Sequence, residues 1–300
     1  MASHKDLRRA LVVANPIAGR GRGKRQAELL AAGLRDLGLE TELYLTSARG
    51  DGGEKVRGAT AAESVDLVVS VGGDGTLGEI VGGLHGASVH VAALPMGTAN
   101  VLALDLKLPR TVDGLLALIE DGGRPVEVDV ALVNSRPSFL VTGVGFDGTL
   151  VRALDLARKG PITRMSYLKH GVSAFLGYSA PELRVRIDDQ ALEGTFGMVL
   201  ISNIVHYAGF RCMAADRQLN DGRYEAYLFR NARRPALAAH FARALTLGWP
   251  GGSVERVQGR RFVVESDAPV PYQVDGDYGG ETPVELEVSS TPFTILAPKP

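Results

Sequence analysis

Within its first hundred residues the chain three times runs an apolar stretch of strand length into a turn that carries Gly and leads toward a helical pattern. The segments are ALVVANPIAG (10–19), LVVSVGGDGT (67–76) and VAALPMGTAN (91–100). No other feature constrains the fold as much. Runs that are apolar at every position suit strands covered on both faces, and strands alternating with helices at this spacing make βαβ units and a parallel sheet. Ligands of such sheets gather beyond the carboxyl ends of the strands, where these turns fall. The pattern predicts strands at 11–14, 41–46, 67–71 and 90–94, and helices at 24–37, 53–64, 76–84, 98–106 and 112–119.

Past EDGGRPVEVDV (120–130) the texture changes. Strand patterns follow at 126–134, 139–144, 183–187, 195–203, 224–229, 261–265, 272–274 and 284–288, and helical spacing is confined to 149–158, 165–176 and 235–247. Strand after strand between Gly, Pro and Asp turns predicts a mostly antiparallel second domain, a sandwich. At 300 residues two domains are expected, 1–124 and 125–300, with the last strand, 293–296, a candidate to return to the first.

Composition narrows the function by exclusion. With 33 basic and 34 acidic residues the net charge is −1, so no global field draws the chain to nucleic acid. The lone Cys212 excludes an intrachain disulfide and a Cys-based zinc site, and it suits a reducing compartment. The first residues lack the apolar core of a signal peptide, and no window approaches the ~20 apolar residues of a membrane span. A cytoplasmic protein is expected.

Two phosphate-loop look-alikes are set aside. GRGRGKR (19–25) fails the Walker A spacing, because Ala18 stands where the first Gly is needed and Arg25 replaces the hydroxyl. TGVGFDG (142–148) matches G-x-G-x-x-G but lies in the strand-rich half, without a ribose-binding acid at the expected distance; it reads as a bend where backbones pack closely. The basic loop Arg20, Arg22, Lys24 and Arg25 is equally a solvated turn or a phosphate contact. In GGDGT, Gly72 and Gly73 permit close approach, and the N–H groups at the start of the next helix suit an anion. Asp74 is then either a turn-former bonded to its own backbone or a carboxylate facing a divalent cation on a polyphosphate. In LPMGTAN (94–100), Pro95 and Gly97 shape the turn while Thr98 and Asn100 can cap the helix.

Taken together, NPIAGRG (15–21), VGGDGTLGEI (71–80) and LPMGTANVLA (94–103), in this order and spacing, resemble the ATP-binding half of the bacterial diacylglycerol kinase-like lipid kinases. That family also includes sphingosine and ceramide kinases. The likeness continues through NDGRYEAYLF (220–229) and QVDGDYG (273–279), so it covers nearly the whole chain. It implies an NAD kinase/phosphofructokinase-like α/β domain with a parallel sheet, followed by a mostly antiparallel β-sandwich. It implies ATP and Mg²⁺, with the phosphates and the nucleotide's Mg²⁺ at Gly72, Gly73, Asp74, Gly75 and Thr76. Thr46, Gly97 and Thr98 would complete the nucleotide site, and Asn15 would hold the first loop. Asp275 would be the catalytic base toward a lipid hydroxyl. A structural Mg²⁺ would be held by Asp221 with the carbonyls of Gln218 and Arg223. The chain departs from the family's pattern at three points: Asp277 replaces the Glu of the usual DGE turn, no proline precedes 218–223, and Arg223 stands where an apolar residue is usual.

The implied acceptor is a lipid of the diacylglycerol type presented at a membrane surface and held by the second domain; a homodimer is compatible with the pattern. Apolar residues at 165–176 and 235–247, with Phe210 and Trp249, are candidates for an acyl-chain pocket, core packing being the commoner fate of such residues. The Arg-rich stretch 230–243 is a candidate for local membrane contact or an ordinary amphipathic helix. Two alternatives stand: an NAD kinase-like enzyme, disfavoured by PMGTAN and VDGD, and a catalytically silent lipid- or nucleotide-binding protein.

Overall fold

A computed structural model describes residues 7–84, 86–157, 164–206, 216–246 and 254–299; Phe210, Cys212 and Trp249 lie outside them. The chain divides into two compact units, Met1–Val128 with Thr291–Pro300, and Asp129–Ser290.

The first unit is built on β1 (Arg9–Ala14), β2 (Glu40–Leu45), β3 (Leu67–Gly72), β4 (His90–Pro95), β5 (Arg124–Val128) and a closing strand, Phe293–Ala297. The sheet order is β2-β1-β3-β4-closing strand-β5. The pairs β1/β2, β1/β3, β3/β4 and β4/closing strand are parallel, and the closing strand meets β5 antiparallel. The connections hold a kinked turn α1 (Ala18–Gly21) and the helices α2 (Gly23–Asp36), α3 (Asp51–Ala61), α4 (Asp74–Leu84), α5 (Val101–Asp105) and α6 (Val112–Glu120). Leu30, Leu34, Leu115 and Ile119 of α2 and α6 are buried with Val12, Val69 and Leu94 on one face of the sheet. Burying each such side chain contributes roughly 1.5–3 kcal/mol. On the other face α3 reaches Val13, and Val56, Ile80 and Leu84 of α3 and α4 are buried. Helices on both sides explain why β1 and β3 are apolar without alternation.

The second unit holds two antiparallel sheets. One runs β10 (Gln190–Ala191), β9 (Arg184–Ile187), β14 (Arg261–Glu265), β17 (Val284–Val288), β6 (Ala131–Val133), β7 (Arg136–Ser138). The other runs β13 (Val254–Gly259), β12 (Tyr224–Phe229), β11 (Met198–Ser202), β8 (Val141–Val144), β15 (Pro271–Val274), β16 (Asp277–Glu281). Ile187, Phe262 and Leu286 of the first meet Val144, Val199 and Leu228 of the second in one core, which makes the unit a sandwich. The outer face of the second sheet is apolar too. There Leu200, Tyr227 and Phe229 pack with Phe146, Phe175 and Leu237 from α7 (Phe146–Leu156), α8 (Arg164–Gly177) and α9 (Arg234–Thr246). The apolar residues of 165–176 and 235–247 in this cluster serve the core.

The fold class is the expected one, an α/β unit with a parallel sheet and an antiparallel sandwich. Some strands differ from the sequence pattern. The run 126–134, with Val126, Val128 and Val130 in unbroken alternation, is not one strand but β5 followed by β6 in another sheet. Asp129 makes the break: its N–H donates to Leu219 O (2.7 Å) and its Oδ2 accepts the N–H of Gly222 (2.7 Å). β7, β13 and β16 carry no clear apolar pattern, and all three lie at sheet edges, where one side of the ladder needs no partner.

β12 also buries a charge. Glu225, 1% exposed, accepts from Arg256, from the Tyr227 hydroxyl (2.7 Å) and from Gln258 Nε2 (3.1 Å). Burial pushes its carboxyl up, but these bonds together hold it below the usual glutamate range. The group therefore contributes stability above the unfolded-state value, lost as pH falls through the depressed folded one. Glu225→Ala is expected to lower unfolding stability by about 2–3 kcal/mol in urea titration, because the Tyr227 hydroxyl and Gln258 lose their acceptor. The deficit should shrink as the pH falls below about 4.

Candidate active site

Strand ends in the order β2, β1, β3, β4 set out a row of candidate residues in the first unit: Thr46, Asn15, Gly72–Asp74 and Gly97–Thr98. Backbone bonds just past the strands fix the row. Thr46 N–H donates to Ala14 O (2.9 Å), Asn15 N–H to Val71 O (3.0 Å) and Met96 N–H to Gly72 O (2.7 Å). Asn15 Oδ1 accepts the N–H of Ile17 (3.1 Å) and so shapes the first loop, while the Thr46 hydroxyl donates back to Ala14 O (3.3 Å). In the basic loop, Arg22 Nε donates to Gly19 O (3.0 Å), closing that turn on itself.

The turns at 72–76 and 95–100 touch backbone to backbone. A Cβ on Gly97 would lie 2.6 Å from Gly73 Cα, and one on Gly73 would lie 3.1 Å from Gly97 Cα. Asp74 fastens them: its Oδ1 accepts the N–H of Val101 (2.9 Å), the first residue of α5. Asn100 and Thr98, the expected caps, do not cap this helix by side chain. Asn100 has a left-handed backbone (φ +51°), and its side chain closes on Gly97, accepting from N–H and donating to O at 2.8 Å each. The cap comes instead from another strand's turn. Thr76 is buried with its hydroxyl over Gly72, whereas Gly75 and Thr98 are exposed. The first turn of α4 thus presents N–H groups suited to an anion, rimmed by one carboxylate. Among the described residues no group of three or more His, Cys, Asp or Glu could hold a metal. A single protein carboxylate fits a Mg²⁺ that takes its other ligands from phosphates and water.

In the second unit Asp275 and Gly276 (φ +51° and +88°) form the two-residue turn between β15 and β16. The Asp275 carboxylate faces inward. Oδ1 accepts from the Ser138 hydroxyl (2.8 Å) and the N–H groups of Leu140 (3.1 Å) and Val141 (2.9 Å), and Oδ2 accepts from Phe139 N–H (3.0 Å). Burial pushes this carboxyl above the usual aspartate range despite those bonds. Asp277 Oδ2 pairs with Arg136 (2.8 Å). Gln273 and Asp147 brace the turn: Gln273 Oε1 accepts from Gly276 N–H (2.7 Å), and its Nε2 donates to Asp147 Oδ2 (2.7 Å). Sequence reasoning missed both, although Asp147 lies in TGVGFDG. That segment does pack closely, since a Cβ on Gly148 would lie 2.2 Å from Pro271 O.

The turn 218–223 already holds a positive group. The Arg217 guanidinium donates to Asp221 Oδ2 (2.7 Å), Asn203 Oδ1 and Arg223 O, so Asp221 and the Arg223 carbonyl are taken by the chain itself. A Mg²⁺ does not fit that donor set.

Comparison with known proteins bears on both units. Residues 9–133 match the family described as the diacylglycerol kinase catalytic domain, and residues 141–297 match the YegS C-terminal NAD kinase beta sandwich-like domain. A diacylglycerol kinase of Bacillus subtilis (strain 168) is 26% identical over 98% of this chain and 97% of its own. One from Staphylococcus carnosus (strain TM300) is 26% identical over 97% and 96%. A crystal structure of a diacylglycerol kinase from Bacillus anthracis str. Sterne superposes with a TM-score of 0.75 at 19% identity, over 97% and 96% of the two chains, and shares the fold.

Proposed function

The chain belongs to the diacylglycerol kinase-like lipid kinases, phosphotransferases with an alcohol group as acceptor, and on that premise we propose that it transfers the γ-phosphate of ATP to a hydroxyl of a diacylglycerol-type lipid. The observation that carries this reading is the clamp of Asp74 between the two glycine-apposed turns, at the carboxyl ends of adjacent strands.

In this reading the N–H groups of 73–76 orient the phosphates, Thr98 lies at the exposed lip, and Asn15 and Thr46 shape the flanking strand ends. Mg²⁺ carried by the nucleotide would neutralise phosphate charge, with Asp74 as its protein carboxylate. Asp275 acts on the acceptor. Its Oδ2 has one protein donor against three on Oδ1, so a lone pair remains there for a substrate hydroxyl to donate to. The hydroxyl oxygen bonds to γ-phosphorus, the bridging bond to ADP breaks, and the proton passes late to Asp275. Most of the rate enhancement comes from positioning and charge neutralisation.

Presentation of the lipid at a membrane surface is supported by Leu156, Val172 and Leu176 of α7 and α8, which are 80%, 52% and 63% exposed. No described helix is long and apolar enough to cross a membrane. The test is incubation with ATP, Mg²⁺ and a panel of diacylglycerol, phosphatidylglycerol, sphingosine, ceramide and NAD. Transfer to a lipid is expected; transfer to NAD alone, or to none, would overturn the proposal.

A further inference from the structure

The turn Gln218–Arg223 is cross-linked from within by a fully shielded cation. The Arg217 side chain has 0% exposure. Nη1 donates to Asp221 Oδ2 at 2.7 Å, and Nη2 donates to Asn203 Oδ1 and to the Arg223 carbonyl. The other Asp221 oxygen, Oδ1, accepts the N–H of Arg223 (3.0 Å). Beside it, Asp129 Oδ2 accepts the N–H of Gly222 (2.7 Å), and Asn203 Nδ2 donates to Asp129 O (3.2 Å). Two of the three groups that would ligate a structural Mg²⁺ here are therefore engaged by a guanidinium.

Electrostatics makes the two occupants exclusive. A divalent cation bound by Asp221 and the Arg223 carbonyl would stand within a few ångströms of a buried positive charge, where repulsion is only weakly screened. Magnesium also demands near-octahedral oxygens and gives up its water reluctantly. A planar guanidinium, by contrast, bridges a carboxylate, an amide oxygen and a carbonyl with separate N–H groups and keeps its charge at any working pH.

We propose that Arg217 takes the place of the structural cation, so that this unit needs no divalent metal and magnesium enters the protein only with nucleotide. The substitution matters to the active site, because a hydrogen-bonded path leads onward. Tyr224 OH shares its proton between Asp129 O (3.1 Å) and Ser138 O (2.9 Å), and the Ser138 hydroxyl donates to Asp275.

The test uses nucleotide-free, EDTA-treated protein and MgCl₂ alone, followed by thermal unfolding and metal content, so it stands apart from any kinase activity. For the wild-type chain the unfolding midpoint should be the same with and without Mg²⁺, and no metal should remain after gel filtration. Asp221→Asn should lower the midpoint equally in both conditions. Arg217→Gln should lower it by about 5–10 °C. A wild-type midpoint that rises with Mg²⁺ alongside stoichiometric bound metal, with Asp221→Asn abolishing both, would overturn the proposal, as would an Arg217→Gln protein as stable as the wild type. Should Arg217→Gln not fold, the wild-type and Asp221→Asn arms decide alone.

Discussion

Asp275→Asn is expected to lower kcat by about 10²–10⁴-fold while leaving the dissociation constant for ATP near its wild-type value. The two effects should separate because Asp275 sits in the second unit, whereas the turns proposed to hold the nucleotide belong to the first. The variant will also lose stability. Asn places an NH₂ group against donors that the carboxylate accepts from, and an unmet buried donor costs about 1–3 kcal/mol. Rates must therefore be measured well below the unfolding midpoint and normalised to folded protein. A carboxylate that only scaffolds the turn predicts lost stability with kcat retained; a base predicts lost kcat in the folded fraction.

The pH profile gives an independent readout. Because burial raises the carboxyl, kcat/KM should climb with pH and level off at a midpoint above the ordinary aspartate value of about 3.9. The Asn variant should lack that limb. The stability sign is opposite to that of Glu225. Between the unfolded and the raised folded value, the folded protein keeps a proton the unfolded chain has released, so this group's contribution falls as pH rises through that window.

Gly97→Ala should weaken ATP binding by about 10–100-fold in titration calorimetry with a non-hydrolysable analogue. The added Cβ would meet Gly73 Cα at 2.6 Å, and backbone cannot swing aside as a side chain can. One turn must move, which disturbs the Asp74–Val101 bond and the N–H groups beside it. Because the turn is exposed, global stability should change little. Gly58→Ala is the control: it lies on exposed helix surface with nothing within 4 Å of its Cβ, and should bind ATP as the wild type does. A Gly97→Ala protein with wild-type affinity would remove the turn pair from the nucleotide site.

The sequence was most readable where physical constraints were local. β1, β3 and β4 were visible because both faces are covered, and a run such as LVVSV has few other uses. β12 was visible for the same reason, sandwich core on one side and helices on the other. The Asp275–Gly276 turn could be read as a hairpin, but the ring of N–H groups from 139–141 could not, because those donors lie more than 130 residues away. Asp74 is similar: its partner Val101 opens the helix of another strand–helix junction, and local capping rules point to Asn100 instead. The role of Arg217 has no local sequence signal, because it depends on burial of the side chain against Asp221 and Asn203. The break at Asp129 was hidden because apolar alternation continues through it.

The fate of the γ-phosphate separates lipid phosphorylation from its alternatives. With γ-labelled ATP, Mg²⁺ and diacylglycerol in detergent micelles, label should appear in an organic-phase phospholipid product with the wild-type chain and fall to near background with Asp275→Asn. Label confined to inorganic phosphate, or appearing in the phosphorylated dinucleotide when NAD replaces the lipid and never in lipid, would rule out a lipid kinase.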